Sequence, residues 1–158
     1  IPEPLIQKKL SRVMSLRDGK NKMSKSDESE YSRINLQDTE DEISKKIKKA
    51  KTDSQPIPSK IEDLKNRPEA LNLINIYSFI TDKTLEETLI SMAGKDFSQL
   101  KKELSDAIIA TICPIGKKIK ELKKDEKHLI EILKNGSNRA KEIAKTNINK
   151  VKDIVGFI

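Results

Sequence analysis

The pattern of apolar and polar positions divides the chain near residue 30. After that point apolar residues recur about every 3.6 residues, which is the period of an amphipathic helix. Residues 1–30 lack this period and are rich in serine, lysine and aspartate. Within them, the alternation of polar and apolar residues over 12–16 predicts a short strand, and turn-forming residues follow at 17–21. We therefore predict a strand, then a flexible loop over about 19–29, and then helices.

The first two predicted helices differ in how much of their surface is apolar. The first begins at Asp38 or Thr39, either of which can cap it, and has one apolar face. That face consists of Ile43, Ile47 and Ala50, and the opposite face carries Lys45, Lys46, Lys48 and Lys49. The second begins near Pro68, after a loop over 52–66, because proline suits the first turn of a helix. It is apolar nearly all round, so we expect it to be buried through Leu71, Leu73, Ile74, Ile76, Tyr77, Phe79 and Ile80.

The later helices are delimited by glycine, serine and proline. One is predicted from Thr84 to Ala93, stopped by Gly94, and Ser98 can cap the next. That next helix has an apolar stripe running through Pro114, which predicts one long kinked helix or two nearly collinear helices. The stripe consists of Leu100, Leu104, Ile108, Ile112, Ile115, Ile119 and Leu122. A further helix over 125–135 should end at Gly136. Ser137 should then cap a last helix whose core face is Ala140, Ile143, Ala144, Ile148, Val151 and Val155.

Composition limits the chemistry that the chain can perform. With a single cysteine, Cys113, the chain has neither a disulfide framework nor a cysteine-based metal site, and with a single histidine, His128, it has no second imidazole for a zinc site. We therefore predict no metal site. The longest apolar run, 107–116, is far shorter than the roughly 20 residues of a membrane-spanning helix. The net charge of +7 favours a polyanionic partner. Because the chain begins at Ile1 without a leader-like segment, we expect an internal piece of a larger, cytoplasmic protein.

One short segment has the residue types needed for phosphate chemistry. Lys22-Met23-Ser24-Lys25-Ser26-Asp27 places two lysines three residues apart on the predicted loop. Two ammonium groups so placed can contact adjacent phosphates while small hydroxyl residues let the backbone approach a nucleotide. A lysine that contacts a leaving pyrophosphate more tightly in the transition state lowers the barrier selectively. By composition alone, however, the segment fits a solvated basic loop equally well.

The segment and its surroundings resemble class I aminoacyl-tRNA synthetases, in the form that tryptophanyl-tRNA synthetases have. The resemblance rests on Arg12-Val13-Met14-Ser15-Leu16 followed by the lysine segment, and it covers nearly the whole chain. It continues through Ile34-Asn35-Leu36, Ala50-Lys51-Thr52-Asp53-Ser54, Asn72-Leu73-Ile74-Asn75-Ile76-Tyr77-Ser78 and Pro114-Ile115. Tyrosyl-tRNA synthetases are the nearest relatives and remain an alternative.

The resemblance implies a fold that is mainly α. Residues 1–30 would be the last strand and the KMSKS loop of a Rossmann-type α/β catalytic domain, and residues 31–158 a helical tRNA anticodon-binding domain. It also implies a homodimeric ligase that makes tryptophanyl-adenylate from L-tryptophan and ATP with Mg²⁺ and transfers the acyl group to tRNA(Trp). Lys25, and secondarily Lys22, would stabilise the pyrophosphate. The ATP-binding residues would be Val13, Lys22, Met23, Ser24, Lys25 and Ser26.

Two departures from the family pattern carry consequences. Glu28 stands where many members have proline, which predicts a looser end to the loop. The first class I signature, of His-Ile-Gly-His type, is absent, so the tryptophan pocket should lie outside this chain and the chain alone should be inactive.

A different class of function stays open beside the enzyme. The lysine-rich runs 45–51 and 117–127 could contact an RNA backbone or be merely solvated helix faces with ion pairs. A non-catalytic, basic helical RNA-binding module is therefore the alternative, with neither DNA nor a membrane expected as partner.

Overall fold

The computed structural model describes residues 2–5 and 10–156, and the prediction of a mainly α fold is confirmed. Within these residues, five helices follow one another, with two short 3-10 helices at Glu30–Ser32 and Ile61–Leu64. The five are α1 (Glu40–Lys48), α2 (Pro68–Ile80), α3 (Leu85–Met92), α4 (Phe97–Lys124) and α5 (Glu126–Val155). By contacts the chain divides into two compact units, Ile1–Lys117 and Lys118–Ile158.

The predicted strand over 12–16 is wrong as a strand. Within the described ranges this segment forms only one isolated antiparallel bridge, between Met14 and Lys22. The reason is that a side chain takes the remaining backbone groups of Met14, since Asn72 of α2 bonds both its N–H and its carbonyl. On the edge of the segment that faces away from Lys22, the side chain of Asn72 thus occupies the place of a further strand.

Helix α1 forms as its sequence predicts at both its cap and its apolar face. Thr39 and Glu42 make a reciprocal capping box, in which each side chain bonds the other residue's backbone N–H. Ile43 and Ile47 are completely buried. The prediction that Lys46 lies on the solvated face is wrong, because its ammonium group is buried 2.6 Å from the equally buried carboxylate of Asp38.

Helices α2 and α3 provide the centre of the first unit. Pro68 occupies the first turn of α2, as predicted. Leu73, Ile74, Ile76 and Tyr77 are buried and Leu71 and Ile80 are partly buried, whereas Phe79 is 46% exposed. That exception arises because neighbours do not cover every side of α2. Thr84 and Glu87 form a second capping box at the start of α3, and Gly94 just after it has a φ of 76°, the left-handed conformation expected of a helix stop.

Helix α4 is one continuous helix that contains Pro114. Its start differs from the prediction, because Asp96 rather than Ser98 accepts a hydrogen bond from the backbone N–H of Gln99 (2.9 Å). The predicted apolar stripe is buried only in its first half, through Leu100, Leu104 and Ile108, whereas Ile115 and Leu122 are more than 40% exposed.

The second unit consists of the end of α4 and the whole of α5. The prediction of two helices separated at Gly136 is wrong, because α5 runs unbroken from Glu126 to Val155. Asp125 caps it by accepting a hydrogen bond from His128 N–H (3.0 Å), and Gly156 ends it. A single glycine costs a helix interior only about 1 kcal/mol, which its neighbours outweigh. No described residue of α5 is buried, so the predicted core face is exposed, and no helix of the described chain is long and apolar enough to cross a bilayer.

Candidate functional site

The lysine loop, residues 22–29, follows a short hairpin in the first unit. Met23 N–H donates to the carbonyl of Val13 (3.0 Å) and Ser15 N–H donates to the carbonyl of Asn21 (2.8 Å). The bridge between Met14 and Lys22 lies between these bonds. Val13 and Met23, both predicted to face the nucleotide, are thus adjacent, and both pack partly against the hydrophobic core.

A buried amide holds this hairpin against α2. Asn72 is 4% exposed, and its Oδ1 accepts a hydrogen bond from Met14 N–H (3.0 Å). Its Nδ2 donates to the carbonyls of Met14 (2.9 Å) and Ser15 (3.3 Å). The sequence contained one sign of this role, an asparagine on a helix that is otherwise apolar nearly all round.

The turn of the hairpin is packed rather than free. The carboxylate of Asp18 accepts from Lys20 N–H (2.9 Å) and from the side-chain amide of Asn21 (2.6 Å). Gly19 is buried, and a Cβ there would lie 2.5 Å from backbone atoms at the start of α2. The prediction of a flexible loop from residue 19 is therefore wrong over its first residues, because Gly19 serves close packing.

The lysine loop itself is exposed and non-helical. The hydroxyl groups of Ser24 and Ser26 are 3.0 Å apart, and Ser26 N–H donates to Ser24 Oγ (3.3 Å). Lys22 and Lys25 are exposed, and no residue of the described chain forms an ion pair with either. The loop therefore presents two ammonium groups to solvent beside a pair of hydroxyls.

The downstream end of the lysine loop is held by an arginine that the sequence did not reveal. Asp27 caps the turn by accepting from Ser29 N–H (2.8 Å). The guanidinium of Arg33 donates to the carbonyls of Asp27 (2.9 Å) and Ser29 (3.4 Å), and it pairs with the carboxylate of Glu30. The prediction that Glu28 loosens the end of the loop is therefore wrong in its hydrogen bonding, because Asp27 and Arg33 hold that end.

A second candidate region is an open cleft of about 800 Å³ between α1, residues 52–56 and the first half of α4. Lysines from both helices line it, together with serines and acids: Lys48, Lys101, Lys102, Ser44, Ser98, Ser105, Asp96 and Asp106. Burial, and then the positive charge of Arg17, lower the pKa of Lys101, whose ammonium group donates to the carbonyl of Ala50 (2.7 Å). The cleft thus combines apolar walls, which include Phe97, with lysine ammonium groups from two helices.

Residues 52–56, which form one wall of the cleft, are also organised by an arginine. Arg67 makes two bonds to the carboxylate of Asp53 (2.8 and 2.6 Å) and donates to the carbonyls of Gln55 and Pro56, each at 3.0 Å. The hydrogen bond from Arg67 is the main cause that lowers the pKa of Asp53. The charge on this wall is thereby paired within the fold.

Comparisons with known proteins agree on one family. Residues 1–112 match the family model described as tRNA synthetases class I (W and Y). The tryptophan–tRNA ligase of Agrobacterium fabrum is 48% identical over 156 residues, which are 99% of this chain and 44% of that protein. The tryptophan–tRNA ligase of Thermosynechococcus vestitus is 47% identical, over 99% of this chain and 47% of that protein.

Solved structures agree with the sequence relatives. A tryptophanyl-tRNA synthetase from Mycoplasma pneumoniae superposes with a TM-score of 0.73 at 26% identity, over 96% of this chain and 47% of that one. One from Campylobacter jejuni, complexed with ADP and tryptophan, gives a TM-score of 0.72 at 26% identity, over 98% and 46%. This chain spans less than half the length of each of these four proteins. It belongs to the W and Y family of class I tRNA synthetases.

Proposed function

We propose that this chain is the carboxy-terminal part of a tryptophan–tRNA ligase, a cytoplasmic and homodimeric enzyme. The observation that carries the proposal is the exposed lysine loop. Lys22 and Lys25 form no ion pair with a described residue, and the two loop ends are hydrogen-bonded to Val13 and Arg33. The named relatives support tryptophan over tyrosine, because eight curated proteins between 42% and 48% identical to the chain are all tryptophan–tRNA ligases. The tryptophan pocket lies outside this chain, so the chain alone is inactive.

The lysine loop acts in the first half-reaction. A carboxylate oxygen of tryptophan attacks the α-phosphorus of ATP, and the bond from that phosphorus to the bridging oxygen breaks. The electron pair of that bond leaves with pyrophosphate, so negative charge grows on the leaving group. Lys25, assisted by Lys22, donates hydrogen bonds to it and stabilises the transition state more than the ground state. Mg²⁺ enters as part of the substrate, coordinated by the phosphate oxygens of ATP.

The rest of the nucleotide lies along the hairpin. The backbone at Val13, with Met23 beside it, packs against adenine, and the hydroxyls of Ser24 and Ser26 bond phosphate oxygens. The half-buried position of Val13 and Met23 at the edge of the core supports this arrangement. Residues 1–30 thus complete the catalytic domain, and residues 31–158 bind tRNA.

The cleft between α1 and α4 receives a nucleotide from the anticodon of tRNA(Trp). Its lysines suit phosphate oxygens, and its serine and aspartate side chains suit the polar edges of a base. The described residues near it include few aromatic side chains, so hydrogen bonds rather than extensive stacking give the recognition.

Exchange of labelled pyrophosphate into ATP tests the proposal on the complete enzyme that contains this sequence. We expect exchange that depends on tryptophan and not on tyrosine, followed by acylation of tRNA(Trp). Exchange with tyrosine alone would assign the protein to tyrosyl-tRNA synthetases. RNA binding without exchange of either kind would leave the non-catalytic module as the function.

A further inference from the structure

The downstream end of the lysine loop is fixed by Arg33, and we propose that Arg33 is a positioning residue for amino acid activation. This inference rests on the proposed function, because it deepens the role of the same loop. Arg33 itself does not contact the loop lysines. It acts through the backbone on which Lys25 is carried.

Arg33 bonds the backbone at the end of the lysine loop and two side chains that follow it. Its side chain is 10% exposed, and its Nη1 donates to the carbonyls of Asp27 (2.9 Å) and Ser29 (3.4 Å). Its Nε donates to the side-chain oxygen of Asn35 (3.3 Å), and its Nη2 pairs with Glu30. A guanidinium is planar and always charged, so it can hold several acceptors in one fixed arrangement, which an ammonium group cannot reproduce.

A network of charges holds the arginine in turn. Asn35 donates through Nδ2 to the carboxylates of Glu30 and Asp38, both at 3.2 Å. Lys46 of α1 pairs with Asp38 at 2.6 Å and approaches Glu30 at 3.8 Å, and its side chain is 8% exposed. This network explains the burial of Lys46, and it attaches the end of the lysine loop to α1.

The two ends of the lysine loop are therefore both tied to helices, and the part free to move is short. At the upstream end, Met23 bonds Val13 in the hairpin that Asn72 holds against α2. At the downstream end, Arg33 bonds Asp27 and Ser29. Lys25 lies between the two anchors. If the downstream anchor is lost, Lys25 samples more positions, and transition-state contacts suffer more than ground-state binding, because they require tighter geometry.

Arg67 provides a matched control for a merely structural role. Its side chain is 12% exposed, close to that of Arg33, and it too bonds two backbone carbonyls and one carboxylate. It holds residues 52–56 instead of the lysine loop. A general loss of stability should follow from either arginine, whereas a change specific to the lysine loop should follow only from Arg33.

The experiment compares Arg33→Gln, Arg33→Lys and Arg67→Gln in the complete enzyme by tryptophan-dependent pyrophosphate exchange and by amide hydrogen exchange with mass spectrometry. We expect Arg33→Gln to lower kcat by about 10- to 100-fold, with the KM for tryptophan changed less than about twofold. We expect amide exchange to rise over residues 23–29. Arg33→Lys should recover part of the kcat. Arg67→Gln should raise amide exchange over residues 52–56 instead, and its kcat should exceed that of Arg33→Gln at least about tenfold.

Two results would overturn the proposal. One is equal loss of kcat in Arg33→Gln and Arg67→Gln, in proportion to their loss of thermal stability. The other is unchanged amide exchange over residues 23–29 in Arg33→Gln. If the wild-type enzyme showed no tryptophan-dependent exchange, the proposed function would fail, while the amide exchange of the two variants would still decide whether Arg33 anchors the loop.

Discussion

Two loops of the first unit, residues 52–56 and the lysine loop, are each held by an arginine, but they differ in whether their charged side chains are paired. In both, a nearly buried arginine donates to two backbone carbonyls and pairs with a carboxylate. Residues 52–56 contribute the paired acid themselves, through Asp53, so the charge of that loop is satisfied within the fold. The lysine loop is held at its backbone, and its ammonium groups at Lys22 and Lys25 stay in solvent.

The difference shows how a fold can hold a segment without neutralising it. An ion pair made by a loop lysine would have to be broken before that lysine could contact a phosphate. Anchoring by backbone carbonyls avoids that competition, since it restricts where the loop can go and leaves its charges available. Residues 52–56 do not need a free charge, so Asp53 can pair with Arg67 and hold the shape of the loop.

The largest effect that distinguishes the two loops is expected at Lys25. In the complete enzyme, Lys25→Ala should slow adenylate formation by roughly 2–4 kcal/mol of transition-state stabilisation, since it removes a charge from the developing pyrophosphate. The affinity for tryptophan should change little. Single-turnover kinetics with saturating ATP and tryptophan measure the effect.

Lys20→Ala is the control for that prediction. Lys20 is an exposed lysine of the neighbouring turn, and its backbone N–H donates to Asp18, while its side chain forms no ion pair with any described residue. We expect near wild-type rates from it. A loss in Lys25→Ala that appeared only as weaker tryptophan binding would contradict the role assigned to the lysine.

The close packing of the hairpin against α2 can be tested by comparing substitutions of two glycines, Gly19 and Gly136. At Gly19 a methyl group would meet backbone atoms of Pro68 and Glu69 at 2.5–2.7 Å, so Gly19→Ala should reduce the free energy of unfolding by about 1–3 kcal/mol. Gly136 lies inside α5, where an added methyl group would have no neighbour within 4 Å, so Gly136→Ala should stabilise α5 by roughly 0.5–1 kcal/mol. Urea denaturation measures both.

The two substitutions should change the free energy of unfolding in opposite directions. If Gly19→Ala were neutral, the turn would have room to move away from α2, and the close packing described for the hairpin would be wrong. If Gly136→Ala were destabilising, the continuous course of α5 through that residue would be in doubt.

A third prediction concerns the cleft that residues 52–56 help to form. If the cleft binds tRNA through phosphates, replacing both Lys48 and Lys102 by alanine should weaken tRNA binding and reduce the slope of log affinity against log salt by about 1 for each lost contact. Filter binding of tRNA at several salt concentrations measures the slope. Adenylate formation, which needs no tRNA, is the internal control, and an unchanged slope would remove these lysines from the tRNA surface.

Local features were predictable from the sequence because their partners are close in the chain. Thr39 with Glu42, Thr84 with Glu87, and the stop at Gly94 all depend on residues within one or two helical turns. The lysine segment is visible in the sequence for a similar reason, since its six residues are contiguous.

The residues that anchor the lysine loop could not be predicted. Their partners are either distant in the sequence or lie where the amphipathic pattern indicates solvent. Asn72 bonds residues 57 and 58 positions away, which no local period indicates. The helical period of α1 places Lys46 on the solvent-facing side, yet its ammonium group is buried in a network with Asp38 and Glu30. The helix end predicted at Gly136 is wrong because a single glycine is only a weak helix breaker. The roles assigned to the lysine loop residues themselves stay predictions until substrates are tested.

The smallest predicted effect is a pH dependence that sharpens the contrast between a paired loop and an unpaired one. The hydrogen bond from Arg67 lowers the pKa of Asp53 in the folded state below its ordinary value near 4. A lowered folded-state pKa means that the folded state binds its proton less readily than the unfolded state. The pair therefore contributes stability above the unfolded pKa, and this contribution is lost as pH falls through the folded pKa.

The thermal stability of wild type should exceed that of Asp53→Asn at neutral pH, and the difference should shrink below about pH 4. Melting temperatures of both proteins between pH 7 and pH 3 measure this. Because Asp53 is partly exposed, the difference should be small and reduced by salt. A difference that stayed constant down to pH 3 would show that Asp53 acts through its shape and hydrogen bonds rather than through its charge, and the two loops would then differ less than their ion pairs indicate.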